Sequence, residues 1–327
     1  MGWYDTCKLV FIQIASILIF QLNIISQEKG EIKFPPAYQL KAYFKTQTFY
    51  NYVLYDTTEV HRTYADSSKK HFKRIINYFM TLVQRDDPKD GFAKVEIYID
   101  SITYKFVEND KVYEFVNIES SNPNIFKFED FQTYIVPMSM QFEIIYSPYG
   151  EVAKIEGERL LEKRSYVEKL RPTLPDTLWY YNWNDGLSDQ RLKHIGDVIK
   201  LIYPPHPIFR DSLWRSPIEL LIDGINLIDT VELKATGFFN NQYQIVGRFV
   251  NPSIIWKRTK FYDIKSLHLP YELKDVVGSI QQSLSATGIV KELKIILNLD
   301  LDIGLPIAFT ENISKSLRWE MIKSYRF

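Results

Sequence analysis

Leu293-Lys294-Ile295-Ile296-Leu297-Asn298-Leu299-Asp300-Leu301 carries an apolar side chain at every second position, with Lys294, Asn298 and Asp300 between them. Such a period fits a strand with one buried and one wet face, because successive side chains of a strand point to opposite sides. Met138, Met140, Phe142, Ile144 and Tyr146 repeat the pattern, opposite Ser139, Gln141, Glu143 and Ser147. Further strands are expected at Gln39–Tyr55, Phe72–Gln84, Lys94–Val107, Lys111–Ile118, Thr230–Ala235 and Tyr243–Val250. Asp86-Asp87-Pro88-Lys89-Asp90-Gly91 and Glu108-Asn109-Asp110 have the chemistry of tight turns between such strands. Connections this short demand antiparallel sheets, since a parallel crossover takes a dozen residues or more.

Working outward, the middle of the chain changes character. Glu156–Leu170 is rich in Glu, Arg, Lys and Leu and reads as a helix ended by Arg171-Pro172. Ser188 can cap a second helix from Asp189 to about Ile202, with Leu192, Ile195, Ile199 and Ile202 on one stripe. The expected fold class is therefore mainly β (α+β): two antiparallel curved-sheet lobes joined by a helical connector. In residue numbers the expected divisions are a signal peptide at 1–27, a first lobe at 28–150, the connector at 151–206 and a second lobe at 207–327.

The signal peptide rests on Leu9–Ile25, a nearly continuous apolar run preceded by Lys8 and followed by Ser26-Gln27-Glu28-Lys29. Its densest part, Leu9–Phe20, is shorter than the roughly 20 apolar residues that span a bilayer. The expected location is outside the first membrane, in a periplasm, cell envelope or extracellular space, with no stable transmembrane segment after cleavage. Cys7, the single cysteine, would leave with the signal, so neither a disulfide nor a Cys-based metal site is expected.

Composition narrows the function classes further. Forty Lys+Arg balance forty Asp+Glu, and a chain of zero net charge lacks the basic field that nucleic-acid binding uses. Glycine numbers only 13, and no phosphate-binding G-x-G-x-x-G or G-x-x-x-x-G-K-[ST] occurs. Neither G-x-S-x-G nor H-E-x-x-H is present, and His61, His71, His194, His206 and His268 show no ligand-like spacing. No catalytic residue, metal site or cofactor is therefore expected. His61 and His71 stand where they could meet across neighbouring strands. The acidic turns at Asp86–Gly91 and Asp300–Gly304 depart from a calcium loop and read as hairpins.

Aromatic content, at 15% with 22 Tyr and 21 Phe, is the remaining signal. Phe44, Phe49, Tyr50, Tyr52 and Tyr55 crowd one strand, while Tyr98, Tyr104 and Phe106 crowd another. Aromatic strands of this kind suit sheet cores and apolar ligand grooves alike. Trp179, Tyr180, Tyr181 and Trp183, between the two expected helices, are the candidate ligand-binding or docking residues.

The order of features resembles an uncharacterised family of exported bacterial β proteins, classed as a domain of unknown function. The matching stretches are Ser147-Pro148-Tyr149-Gly150-Glu151-Val152, then Pro207 with Asp211-Ser212-Leu213-Trp214, then Leu301-Asp302-Ile303-Gly304-Leu305-Pro306. Arg210 stands where that family has Gly, and Leu213 is inserted before Trp214. The resemblance implies a two-lobed exported β protein and no particular activity. In layout the chain is also similar to periplasmic lipid-carrier half-barrels. The expectation is a non-enzymatic exported protein binding an apolar ligand or an envelope partner. Two alternatives stay open, a structural envelope component and an exported hydrolase acting on glycans or peptides.

Overall fold

The computed structural model describes residues 40–119, 121–171, 177–223, 225–255, 271–304 and 308–326. The expected signal peptide and Cys7 lie outside them. The protein is mainly β, as its periodicity requires, and among the described residues 13 strands form one open antiparallel sheet. In chain order they are β1 (Thr48–Tyr64), β2 (Lys69–Gln84), β3 (Ala93–Glu108), β4 (Lys111–Phe115), β5 (Gln141–Tyr146), β6 (Val152–Glu156) and β7 (Leu213–Ile222). The remainder are β8 (Ile225–Phe239), β9 (Gln242–Arg248), β10 (Ser253–Ile255), β11 (Tyr271–Ser285), β12 (Val290–Ile303) and β13 (Phe309–Arg326). Four α-helices sit among the described strands: α1 (Glu129–Ile135), α2 (Glu158–Leu170), α3 (Thr177–Gly186) and α4 (Asp189–Gly196).

The strand-rich stretches on either side of the helices are continuous through the pair β1–β13. These two strands run antiparallel from Thr48↔Arg326 to Tyr64↔Phe309, with one register shift at Asn51/Tyr52 where Ile322 is the extra residue. From that seam the order runs β13-β12-β11-β9-β8 one way and β1-β2-β3-β5-β6 the other. β4 adds to β3, and β7 lies on the free side of β8, where Pro217 costs no interior ladder bond.

One face of this sheet is the core. Tyr50, Tyr52, Leu54, Ile76, Tyr78, Ile97, Tyr104, Phe142, Leu293, Ile295, Leu297 and Leu317 are all buried at alternate positions of their strands. The opposite face carries polar pairs across strands: Asn51 donates to Thr81, Asn77 to Thr103, Asn312 to Asp300 and Ser314 to Asn298. Phe79, Val277 and Ile296 stand exposed among them. Much of the aromatic excess is accounted for between β3, β4 and α1. Phe131 contacts Tyr104 and Phe115 at centroid distances of 5.0 Å, and Phe128 stacks on Tyr113 at 4.0 Å.

Helix α4 begins as expected, with the Ser188 hydroxyl accepting from the Arg191 amide at 3.2 Å. It ends six residues before Ile202, however. A Cβ on Gly196 would lie 2.5 Å from Ile97 Cδ1 and 3.1 Å from Phe142 Cζ, so this position fits tightly against β3 and β5. Asp197 then leaves the helix and accepts bonds from the Tyr146 hydroxyl and the Ile199 amide. Residues 197–202 continue extended across the core face. Trp319 on β13 donates to the Ile195 carbonyl, Trp214 on β7 donates to that of Ile202, and the Tyr203 hydroxyl bonds Gln282 on β11. The curled sheet is filled here by its own chain.

Candidate functional site

A cleft of about 610 Å³ opens where the two ends of the sheet approach each other. The Gly150–Val152 hairpin before β6 forms one side, and Pro217–Glu219 of β7 with Ile228–Thr230 of β8 form the other. Between them lie Lys193, Asp197, Lys200 and Ile202 from α4 and the extended segment after it. Gly150 has a φ of 87°, the left-handed turn that lets the hairpin close. The cleft volume falls within the ordinary range for small-molecule sites.

Glu219 and Asp229 of the cleft are already engaged. Glu219 accepts from Lys193 at 2.9 Å and from Asn226 at 2.5 Å. Asp229 caps the amides of Thr230, Val250 and Asn251 at 2.6, 2.8 and 2.8 Å. Lys200 differs from them. It is only 8% exposed, its ammonium reaches the Lys193 carbonyl at 3.3 Å, and it sits 4.9 Å from the centre of the Trp319 ring. Among the described residues no carboxylate lies within ion-pair distance of it. Burial pushes its pKa down to about 8, with the Asp197 charge opposing the shift. Val152, Ile202, Ile218 and Ile228 supply apolar surface around it.

Behind the cleft the core contains a second polar group. His194 Nε2 lies 3.0 Å from Asp56 Oδ2, Lys315 bonds the other Asp56 oxygen, and Lys315 also donates to Thr58 at 2.8 Å. Burial holds the imidazole at a pKa of about 4 against the pull of Asp56, so His194 is neutral at pH 7. A neutral ring facing a carboxylate carries its proton on Nε2, and Nδ1 is then an acceptor, which is buried without a partner. Trp319 lies edge-on to the His194 ring, at 6.0 Å between ring centroids. Arg74 forms a third buried group, bidentate to Asp130 at 2.7 and 2.5 Å and bonded to Asp223 at 2.5 Å.

Trp179, Tyr180, Tyr181 and Trp183 lie away from the cleft, on α3. All four are half-buried. Trp183 donates to Gln132 on α1 at 2.9 Å, the Tyr180 hydroxyl bonds Glu168 on α2 at 2.5 Å, and Trp179 packs on Trp183 at 6.0 Å. The helix was not expected, since this stretch lacks caps and a clean stripe. The cleft residues were missed for another reason: Val152, Lys200 and Ile218 are far apart in sequence, and no local spacing marks them. His61 and His71 do meet, as opposite residues of β1 and β2.

No helix among the described residues is long and apolar enough to cross a membrane. No family model matches the chain, and no curated protein matches its sequence. Among solved structures it is similar to lipovitellin, described for its lipid–protein interactions, at a TM-score of 0.48 and 10% identity over 87% of this chain. The chain spans about a quarter of the length of that protein, 26%. An outer membrane channel from Pseudomonas putida F1 gives a TM-score of 0.25 at 7% identity, covering 89% of this chain and 99% of the channel. OccK2 of Pseudomonas aeruginosa, in complex with glucuronate, gives 0.21 at 6% identity, covering 84% and 98%. At these values the likeness is one between large β-sheets and extends to neither family nor activity.

Proposed function

We propose that this is an exported, non-enzymatic β protein that binds an amphiphile, an apolar chain ending in an anionic group, in the cleft between β6 and β7. The single observation carrying this reading is Lys200. A buried ammonium without a carboxylate in ion-pair contact is costly unless further negative charge is brought to it. A ligand anion would supply it, while Val152, Ile202, Ile218 and Ile228 would take the hydrocarbon. The apolar run Leu9–Ile25 supports export. A second reading, a structural component of the envelope, is favoured by the filled interior of the sheet, and in it the half-buried aromatic helix Trp179–Trp183 would dock a partner.

The test is a comparison of dodecanoate and dodecanol binding by wild type and Lys200→Met, using native mass spectrometry and calorimetry. A charge-assisted hydrogen bond contributes about 1.5–3 kcal/mol, so the variant should bind dodecanoate roughly 10- to 100-fold more weakly and dodecanol unchanged. Dodecanoate affinity should also fall between pH 7 and pH 9 as Lys200 loses its proton. Equal binding of both ligands by both proteins, or no binding at all, would refute the reading.

A further inference from the structure

Glu59, His61 and His71 share the polar face of the sheet, remote in the fold from the cleft. Glu59 and His61 are two apart on β1 and so point the same way, and the register places His71 of β2 directly opposite His61. That register is pinned by the turn immediately beyond, where the Tyr64 amide bonds the Ser68 carbonyl at 2.9 Å and Ser67 takes a φ of 68°. The two imidazoles stack with centroids 4.2 Å apart and planes 10° from parallel. Both Nε2 atoms approach the same carboxylate oxygen: Glu59 Oε1 is 3.4 Å from His61 and 3.0 Å from His71.

We propose that Glu59, His61 and His71 form a binding site for a divalent transition-metal ion, of which zinc is the best match. Zinc holds nitrogen and oxygen donors at about 2.0–2.1 Å, so two donors of one tetrahedron are about 3.3 Å apart. The two measured imidazole–carboxylate separations bracket that value. The donor atoms of the triad all lie within 4.8 Å of one another. Both rings are about half exposed, so solvent leaves them room to turn about their side-chain bonds toward a shared ion. Two imidazoles and one carboxylate favour zinc, copper or nickel over calcium or magnesium, which prefer all-oxygen sets. Lys73 sits 3.2 Å from Oε2, the other oxygen of Glu59, so it orients the carboxylate without occupying the donating atom. Three protein donors leave one position of the tetrahedron to water. The site would fasten β1 to β2 close to the turn of their hairpin.

Zinc chloride alone, titrated calorimetrically into the untagged protein in chelator-free buffer, tests the proposal, with Cu²⁺ electron paramagnetic resonance as a second readout. One ion per chain should bind, and Cu²⁺ should show nitrogen splitting from two imidazoles. His61→Ala and His71→Ala should each weaken zinc binding more than about tenfold and leave splitting from one imidazole. The double variant should abolish binding at this stoichiometry, and His206→Ala, removing an exposed histidine elsewhere, should change nothing. Because His61 and His71 are exposed, thermal unfolding should confirm that the metal-free variants remain folded. Undiminished binding in the double variant, or no zinc binding by wild type at about 100 μM, would overturn the proposal.

Discussion

Replacing Arg74 by Met should loosen the sheet at the point where its curl is fastened. Arg74 projects from β2, near the middle of the sheet, and reaches both Asp130 at the start of α1 and Asp223 in the turn between β7 and β8. The last strand on that side is thereby tied back to the centre. All three side chains are almost fully buried. Met fills a similar volume, so the loss is electrostatic: two carboxylates remain in the core with the Tyr104 hydroxyl, 2.7 Å from Asp130, as their remaining bond of note. Removing one partner from a buried ion pair costs about 3–5 kcal/mol. For a chain of this size each kcal/mol lowers Tm by roughly 2–3 °C, so the fall should be roughly 6–15 °C at pH 7. Arg74→Met combined with Asp130→Asn and Asp223→Asn should recover much of the loss, because no buried charge is then left unpaired. Differential scanning calorimetry reads both changes. A fall under about 2 °C, or a triple variant no more stable than Arg74→Met, would refute the reasoning.

His194 has a folded pKa of about 4 against about 6.5 unfolded, so the unfolded chain binds the extra proton between those values. Stability should therefore fall as pH drops from 6.5 to 4, by about 3 kcal/mol, and His194→Gln should flatten that part of a urea-stability profile against pH. Gly196→Val should cost about 1–3 kcal/mol, because its branches meet Ile97, Phe142 and Ile144. Ile97→Ala in the same chain should return part of that loss in thermal unfolding, and a purely additive double variant would show that the crowding is absent.

Several elements were legible in the sequence because their inward positions are uniformly apolar. β12 and the end of the stretch that became β5 are of this kind, and helix α2 was found to within two residues. β1 was placed too early, at 39–55, because its later inward positions include Asp56, Thr58 and Arg62. β13 was not recognised at all, although with 18 residues it is the longest strand. Its inward series runs Phe309, Glu311, Ile313, Lys315, Leu317, Trp319, and two charges break the apolar period. Their partners, Arg62 and Asp56, lie 249 and 259 residues earlier. A buried charge looks like a surface charge until its partner is located. The continuity of the sheet, the cleft at its ends and the histidine pair were hidden for the same reason. Each is made by residues that only the register brings together.

The β1–β13 seam also sets the timing of folding. β1 leaves the ribosome early, yet the strand that pairs it follows some 250 residues later, as the Arg62–Glu311 separation of 249 shows. At about 5–20 residues per second that is a wait of roughly 10–50 s, during which the middle of the sheet is an unpaired edge. Contacts of such sequence separation place the protein among slow folders, whose long-range pairing must await loop closure. A chain whose central seam closes only once β13 has been made also keeps its sheet in two incomplete halves throughout that interval.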